Sequence, residues 1–439
     1  MSDLDPAARR ADARERLGEG EPREAFRVLQ PLLAYPREFA AQGEDVELFS
    51  EISRALGATS LLEGLSRTQQ NPSDVEALYD LGYELIEHDL SGFAASVLSQ
   101  ANELAPNDVR VLTELVAALE RELRNADAAR VLRAAPELLE EDFLCRYLLA
   151  FNALLSGGLA EARQLLPQLQ NEGDQRYEGM AQRVEGMLTR ADALQGVRPL
   201  DEGDLRGWHF VVTGGLLLHV SDAGHEVMHG RYAWVQDDVL RCLEGLRKAQ
   251  RVLEALGSTP PRVFALPDPH GATLAEAAAM ALDLPLSTWP EEGSEEPGLL
   301  VAYDLADVGV ALRSVLTHRP GQVLLTQAAC WTRDFPLSGD LTTFLYQFNT
   351  APWEPQLIVS SEGGELETRD PRAVPLEERA REVACAKLEH KALSDTDELL
   401  ALVEVARALP EQYSAGLFRH SGQRTRHWAG SPVPSSRFA

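Results

Sequence analysis

The chain is short of cysteine, of basic residues and of long apolar runs, and each shortage removes a class of function. Its four cysteines (Cys145, Cys242, Cys330 and Cys385) are scattered over 439 residues with no C-x-x-C spacing. They supply neither a disulfide framework nor a thiolate metal site, and they fit a reducing compartment. Lysine and arginine number 41 against 69 aspartates and glutamates, a formal net charge of −28. Phosphates and anionic lipid would be repelled, so neither nucleic acid nor a membrane surface is an expected partner. The longest uncharged apolar run, GWHFVVTGGLLLHV (207–220), is too short and too interrupted by glycine to span a bilayer. The opening MSDLDPAARRADARERLGEG lacks the apolar stretch of a signal peptide. A soluble cytoplasmic protein is expected.

What remains is an ordinary globular composition, 44 % hydrophobic and 25 % charged, with length for two or three domains. The first half repeats when shifted by 34 residues: NPSDV begins at Asn71, APNDV at Ala105 and LEEDF at Leu139. Asp74, Asp108 and Asp142 fall in step, followed by Leu81, Leu115 and Leu149, then Ala94, Ala128 and Ala162, then Leu98, Leu132 and Leu166. Each unit reads as two amphipathic helices, with the aspartates as N-caps and the alanines where two helices cross closely. EAFRVLQPLLAYP (24–36) and ISRALGATSLLEGL (52–65) read as second helices of earlier, less regular units, and RYEGMAQRVEGMLTRADAL (176–194) as a terminal capping helix.

In period and pattern this half resembles the tetratricopeptide repeat family. Gly82, Ala94, Ala101 and Pro106 meet the pattern in the clearest unit, whereas Val116 and Ala150 stand where later units would carry the glycine. The resemblance implies a stack of helix pairs with a concave groove lined by first helices. Its groove positions correspond here to Tyr79 and Tyr83, and 68 residues on to Tyr147 and Phe151. Each pair is spaced i, i+4, so both rings share a helix face and would grip an apolar peptide. The alternative is packing between neighbouring units. Arg110 and Arg121 in the intervening unit are candidates for pairing an acidic group of a partner, or are simply solvated.

After a polar linker, RPLDEGDLRG (198–207), the pattern changes. WHFVVTGGLLLHVS reads as a β-hairpin about Thr-Gly-Gly, GRYAWV as a strand, and Asp237 or Asp238 as the cap of a long helix. RVFAL, PLSTW, LLVAYD and QVLLT then alternate with TLAEAAAMAL and ADVGVALRSVL, which implies a mostly parallel sheet covered by helices. LEERAREVACAKLEHK and DTDELLALVEVARAL read as helices, and DLTTFLYQFN and the turn around Trp353 as packing elements. The fold class expected is therefore multidomain: an all-α helical-repeat domain (1–197), an α/β domain (198–412), and a mobile basic tail (413–439).

Residues 262–328 loosely resemble the type I phosphoribosyltransferase core. On that motif LLVAYDLADVGVAL keeps Asp304 and Gly309, puts Tyr303 in place of one ribose-binding acid, and puts Asp307 and Val308 where small hydroxyl residues would cradle phosphate. A carboxylate at Asp307 would meet phosphate with like charge, so the resemblance implies a fold that has lost the activity. His270, in PDPHG at a strand end, is a catalytic candidate or a surface-loop histidine. Cys330 reads as a buried structural cysteine, since no histidine is implied nearby to activate it.

HEVMH (225–229) matches the zinc-hydrolase pattern H-E-x-x-H. In that alternative His225 and His229 are zinc ligands, Glu226 is the general base, and Glu244 or Glu254 on the next helix closes the shell. The pattern needs a continuous helix, and Gly224 and Gly230 leave five residues between two poor helix formers. A third histidine six residues on is absent, that position being Val235. The favoured reading is a polar loop between strands, with no metal or cofactor. Taken together, the expectation is an adaptor that binds another protein or peptide through its repeats, with a non-catalytic α/β domain; zinc hydrolysis and a phosphoribosyltransferase-related activity are the alternatives.

Overall fold

A computed structural model describes residues 5–220, 231–257, 259–359, 366–370, 373–413 and 421–435. The chain divides into two compact units, residues 1–181 and 182–438.

The first unit is built of helix pairs: α1 (Pro6–Gly18) with α2 (Pro22–Leu33), α3 (Gly43–Leu56) with α4 (Thr59–Gln70), α5 (Val75–Glu87) with α6 (Ser91–Leu104), and α7 (Val109–Arg121) with α8 (Asn125–Arg133). A short α9 (Pro136–Glu141) precedes the last pair, α10 (Phe143–Leu155) and α11 (Leu159–Gln170). The 34-residue period is visible in the caps. Asp74 accepts from the backbone N–H groups of Glu76 (3.1 Å) and Ala77 (3.2 Å), Asp108 from those of Arg110 (2.9 Å) and Val111 (3.5 Å), and Asp142 from that of Cys145 (2.8 Å). Each satisfies helix-terminal donors that have no partner within the helix. Ala94, Ala128 and Ala162 have no exposed surface. Gly82 serves the same close approach: a Cβ there would lie 2.4 Å from Leu98 Cγ.

Two expectations are corrected in this unit. The stretch 52–65 is not one helix; it is the end of α3 and the start of α4, parted at Gly57, whose φ of 76° places it in the left-handed region that ends helices. The second helix of the middle repeat is cut to nine residues, with Pro136 following three residues after its end and opening α9.

The second unit holds most of α12 (Glu178–Ala193), the helix expected to cap the repeats, followed by α13 (Leu205–Thr213). Where a hairpin was expected, WHFVVT is helical and only Leu216–Leu217 (β1) extends. Asp204 caps α13 through the Gly207 N–H (3.0 Å), and Gly214, at φ 74°, ends it. All nine of its residues are buried, so apolar runs on either side of Thr-Gly-Gly fit a buried helix as readily as a strand.

The chain continues through β2 (Arg231–Gln236), α14 (Val239–Leu256, capped by Asp238), β3 (Val263–Ala265), α15 (Gly271–Leu282), β4 (Leu286–Thr288) and β5 (Gly298–Asp304). After β5 the expected helix is reduced to tight 3₁₀ turns and a four-residue α16 (Leu312–Val315), because Gly309 adopts a φ of 66° in its middle. Then come β6 (Thr317–His318), β7 (Gln322–Cys330), β8 (Leu341–Thr350), β9 (Gln356–Val359), β10 (Leu366–Arg369), α17 (Leu376–Ala384), α18 (Thr396–Ala408) and β11 (Gly422–Gln423).

The main sheet has seven strands in the order β1-β8-β7-β5-β3-β4, with β2 also pairing β8, and all its pairings are parallel. DLTTFLYQFN is thus strand β8, inside the sheet, and Asp304, Ala328 and Phe344 lie side by side on β5, β7 and β8. Strands β4-β3-β5-β7-β8 reproduce the 2-1-3-4-5 order of a common doubly wound sheet, whose reversal point lies between β3 and β5. The end of the chain departs from the mobile tail expected. β11 pairs β6, Arg424 is ion-paired with Asp340, and Arg231 donates to the carbonyls of Val433 (2.8 Å) and Ala429 (3.1 Å), so residues 421–435 are built into the unit. No described helix is long and apolar enough to cross a membrane.

Candidate functional site

The first helices of the repeats carry the aromatic candidates, but not as a continuous exposed row. Tyr83 is 47 % exposed and Tyr79 is half-buried, whereas Tyr147 and Phe151 are only 4 % and 5 % exposed. The latter two stack on each other, ring centroids 5.7 Å apart. The reason is legible in FLCRYLLAFNALL: the helix is apolar nearly all round, and eleven of its thirteen residues are buried. Arg110 is committed internally. It bonds Glu76 (3.2 Å) and Asp108 (3.0 Å), and its guanidinium lies 5.2 Å from the Tyr79 ring centre. Arg121 donates to the Ile86 carbonyl at 2.9 Å, tying α7 to α5. Glu114, between them in sequence, is partly buried, and burial lifts its carboxyl above the ordinary range.

In the second unit the sheet's reversal point, where open sheets of this kind usually hold ligand, is filled by side chains. Asp268, just after β3, accepts from the backbone N–H groups of His270 (3.1 Å), Gly271 (2.6 Å) and Tyr303 (3.0 Å), while burial pushes its carboxyl up to about 6. The Trp353 indole donates to His270 Nδ1 (2.6 Å), which leaves Nε2 as the protonated nitrogen facing Glu354 at 3.1 Å. His270 therefore has both ring nitrogens engaged. Tyr303, standing where the phosphoribosyltransferase pattern has an acid, is 2 % exposed and donates to Asp237 (3.0 Å). Gln327 donates to the same carboxylate oxygen (3.1 Å), and burial drives the Asp237 carboxyl upward.

The zinc candidates divide. His225, Glu226 and His229 lie outside the described residues. Glu244 is held by Lys248 (2.7 Å) and His219 (2.9 Å); burial opposes its charge, but these two partners keep its carboxyl below the ordinary range. Lys248 also pairs Asp395 (2.7 Å), which pairs Arg206 (2.5 Å), so Glu244 belongs to a buried charge network. Glu254 is exposed and pairs Arg251 (3.0 Å). Among the described residues no three His, Cys, Asp or Glu side chains are grouped as a metal site.

One step from the filled reversal point, a cavity of about 440 Å³ opens at the carboxyl ends of β5 and β7, beside β8. The segment 332–339 walls it on one side, and His427 reaches it from the end of the chain. Asp304 lines it, 7 % exposed, accepting from the Tyr346 hydroxyl and from the Ala306 N–H (2.8 Å). Burial raises the carboxyl of Asp304, and the nearby charge of Asp307 raises it further. Cys330 also lines the cavity; it is half-buried, not a sealed core residue, with Thr332 Oγ1 3.3 Å from its sulfur. Arg333, Tyr346 and His427 were not foreseen as site residues. Only Tyr346 left a local trace, in the alternating aromatics of F-L-Y-Q-F.

No protein-family model matches this chain, and no curated protein is similar to it in sequence.

Proposed function

We propose that this chain is an adaptor: its helical-repeat unit binds another protein or peptide, and its α/β unit is a non-catalytic platform. The observation that carries the reading is the pair Tyr79 and Tyr83 on α5, at least one of them well exposed, in a repeat whose caps recur every 34 residues. Rigid aromatic rings on a preformed helical face lose little entropy on binding and are favoured anchors for an apolar peptide. The docking face is smaller than the resemblance to tetratricopeptide repeats implies, since Tyr147 and Phe151 are buried and Arg110 is paired within its own unit. The charge of −28 limits the partners to those without strong negative charge of their own.

The platform reading of the α/β unit is supported by what its candidate catalytic residues do. Tyr303 and Asp237 serve each other, His270 is held by Trp353 and Glu354, and Glu244 is bound to Lys248. The test is affinity capture from lysate with the wild type and with a Tyr79→Ala/Tyr83→Ala variant. The variant is expected to lose specific partners with little change in melting temperature, because neither ring belongs to the fully buried core. Recovery of the same partners in the same amounts by both would reject this face as the docking site.

A further inference from the structure

The cavity at the ends of β5 and β7 has an unbalanced charge on its wall. Asp304 is more than nine-tenths buried, and its partners are a hydroxyl and a backbone N–H, with no cation among them. A second carboxylate, Asp307, is close enough to raise its proton affinity. Asp334 also lines the cavity, but Arg426 lies 3.8 Å from it as a counter-charge, so the unbalanced charge is that of Asp304. A buried carboxylate without a counter-charge is costly, and a ligand that supplies the charge recovers that cost on binding. His427 does not supply it. It is 4 % exposed, and burial lowers its pKa to about 4, so it is neutral at pH 7. Much of the remaining wall is apolar, with Thr332, Ser338 and Gln347 adding polar atoms, and the volume suits a small organic molecule rather than a bare ion.

We propose that this cavity binds a small organic amine, its ammonium group held by the Asp304 carboxylate and its apolar body lying against Leu305, Phe335, Leu337 and Phe348. Aromatic rings favour a cation over their faces, and the excess of acid over base on the whole chain draws cations toward it. His427, a neutral imidazole, lines the same cavity. Among the described residues Arg333 is the one cationic side chain lining the cavity, and it is exposed. It disfavours ligands with a second positive charge and leaves the amine anchor to Asp304. The proposal is independent of the adaptor reading: it concerns the second unit alone.

Titration calorimetry on the full chain with three size-matched probes separates the possibilities: phenethylamine, 2-phenylethanol and phenylacetate. Phenethylamine is expected to bind saturably, one molecule per chain, about tenfold or more tighter than the alcohol, with phenylacetate weakest. Asp304→Asn is expected to bring the amine down to the level of the alcohol. Arg333→Gln, which removes a like charge from the cavity wall at an exposed position, is expected to tighten amine binding. The proposal is overturned if phenethylamine fails to saturate or phenylacetate binds best. Equal amine affinity in wild type and a folded Asp304→Asn variant overturns it too, as does amine binding weakened by Arg333→Gln. Should Asp304→Asn fail to fold, the probe order on wild type and Arg333→Gln decides alone.

Discussion

The two units of this chain are held together by different means. The repeat unit has an interior of leucine, alanine and valine with a few phenylalanines, and most of its ion pairs lie on the surface. The α/β unit buries charge: Arg206, Lys248, Glu244 and Asp395 form one network, Asp237 serves as the hub of another, and Arg424 is sealed against Asp340. An aliphatic interior tolerates substitution in proportion to lost volume, whereas a buried ion network fails abruptly when one member is removed. The difference also marks where chemistry can reside. A repeat stack offers its surface; the sheet offers an interior polarised enough to hold a charged guest.

Charge removal draws the contrast most sharply. Lys248→Met leaves buried Glu244 and half-buried Asp395 with one cation fewer, and about 3–5 kcal/mol of stability in the second unit is expected to be lost. Arg110→Met, on the surface of the first unit, should leave chemical denaturation curves unchanged. Similar losses for both would break the comparison.

Acid should act on the second unit through His209 and His427, which burial drives from 6.5 to about 3 and about 4. Both are neutral when folded, so the unfolded chain takes up protons first as pH falls. The stability gained by keeping them neutral is complete above pH 6.5 and is lost as pH falls from there toward 4 and 3. At pH 5 the loss is about 2 kcal/mol per imidazole. Raised carboxyls such as Asp268 and Asp304 act in the opposite direction, so the measurement is a difference. The urea midpoint should drop more between pH 7.5 and pH 5 in wild type than in His209→Phe/His427→Leu. An equal drop would show that these imidazoles are not kept neutral by the fold.

Gly82→Ala tests close packing in the first unit. The added methyl meets Leu98, and about 1–3 kcal/mol should be lost by thermal melting. Asp108→Ala removes a cap and should cost about 1 kcal/mol, and Asp74→Ala a similar amount. Markedly unequal losses at these two positions would show that the repeats are less alike in energy than in sequence.

How much of this could be read from sequence depended on how local the determinants are. The caps of α5, α7 and α10 sit one residue before the helices they serve, and the 34-residue period exposed them. The parallel sheet followed from β-rich runs alternating with helical ones. The burial of Tyr147 and Phe151 was written in the all-round apolarity of α10, which outweighs their i, i+4 spacing. The cavity was not legible, because it joins strand ends, the β7–β8 connection and His427. Nor were the charge pairs, Arg206 and Asp395 being 189 residues apart. For α13, nine buried and mostly apolar residues fit helix and strand equally, and the Asp204 cap and the turn at Gly214 settled the matter.

An adaptor role requires that the face around α5 meet another polypeptide. A photo-crosslinking residue in place of Tyr83, compared with one in place of Leu104 on the second helix of the same pair, decides it; both positions are well exposed. A discrete crosslinked partner is expected from position 83 and none from position 104. Crosslinks absent at 83, or equal at both positions, would contradict that role.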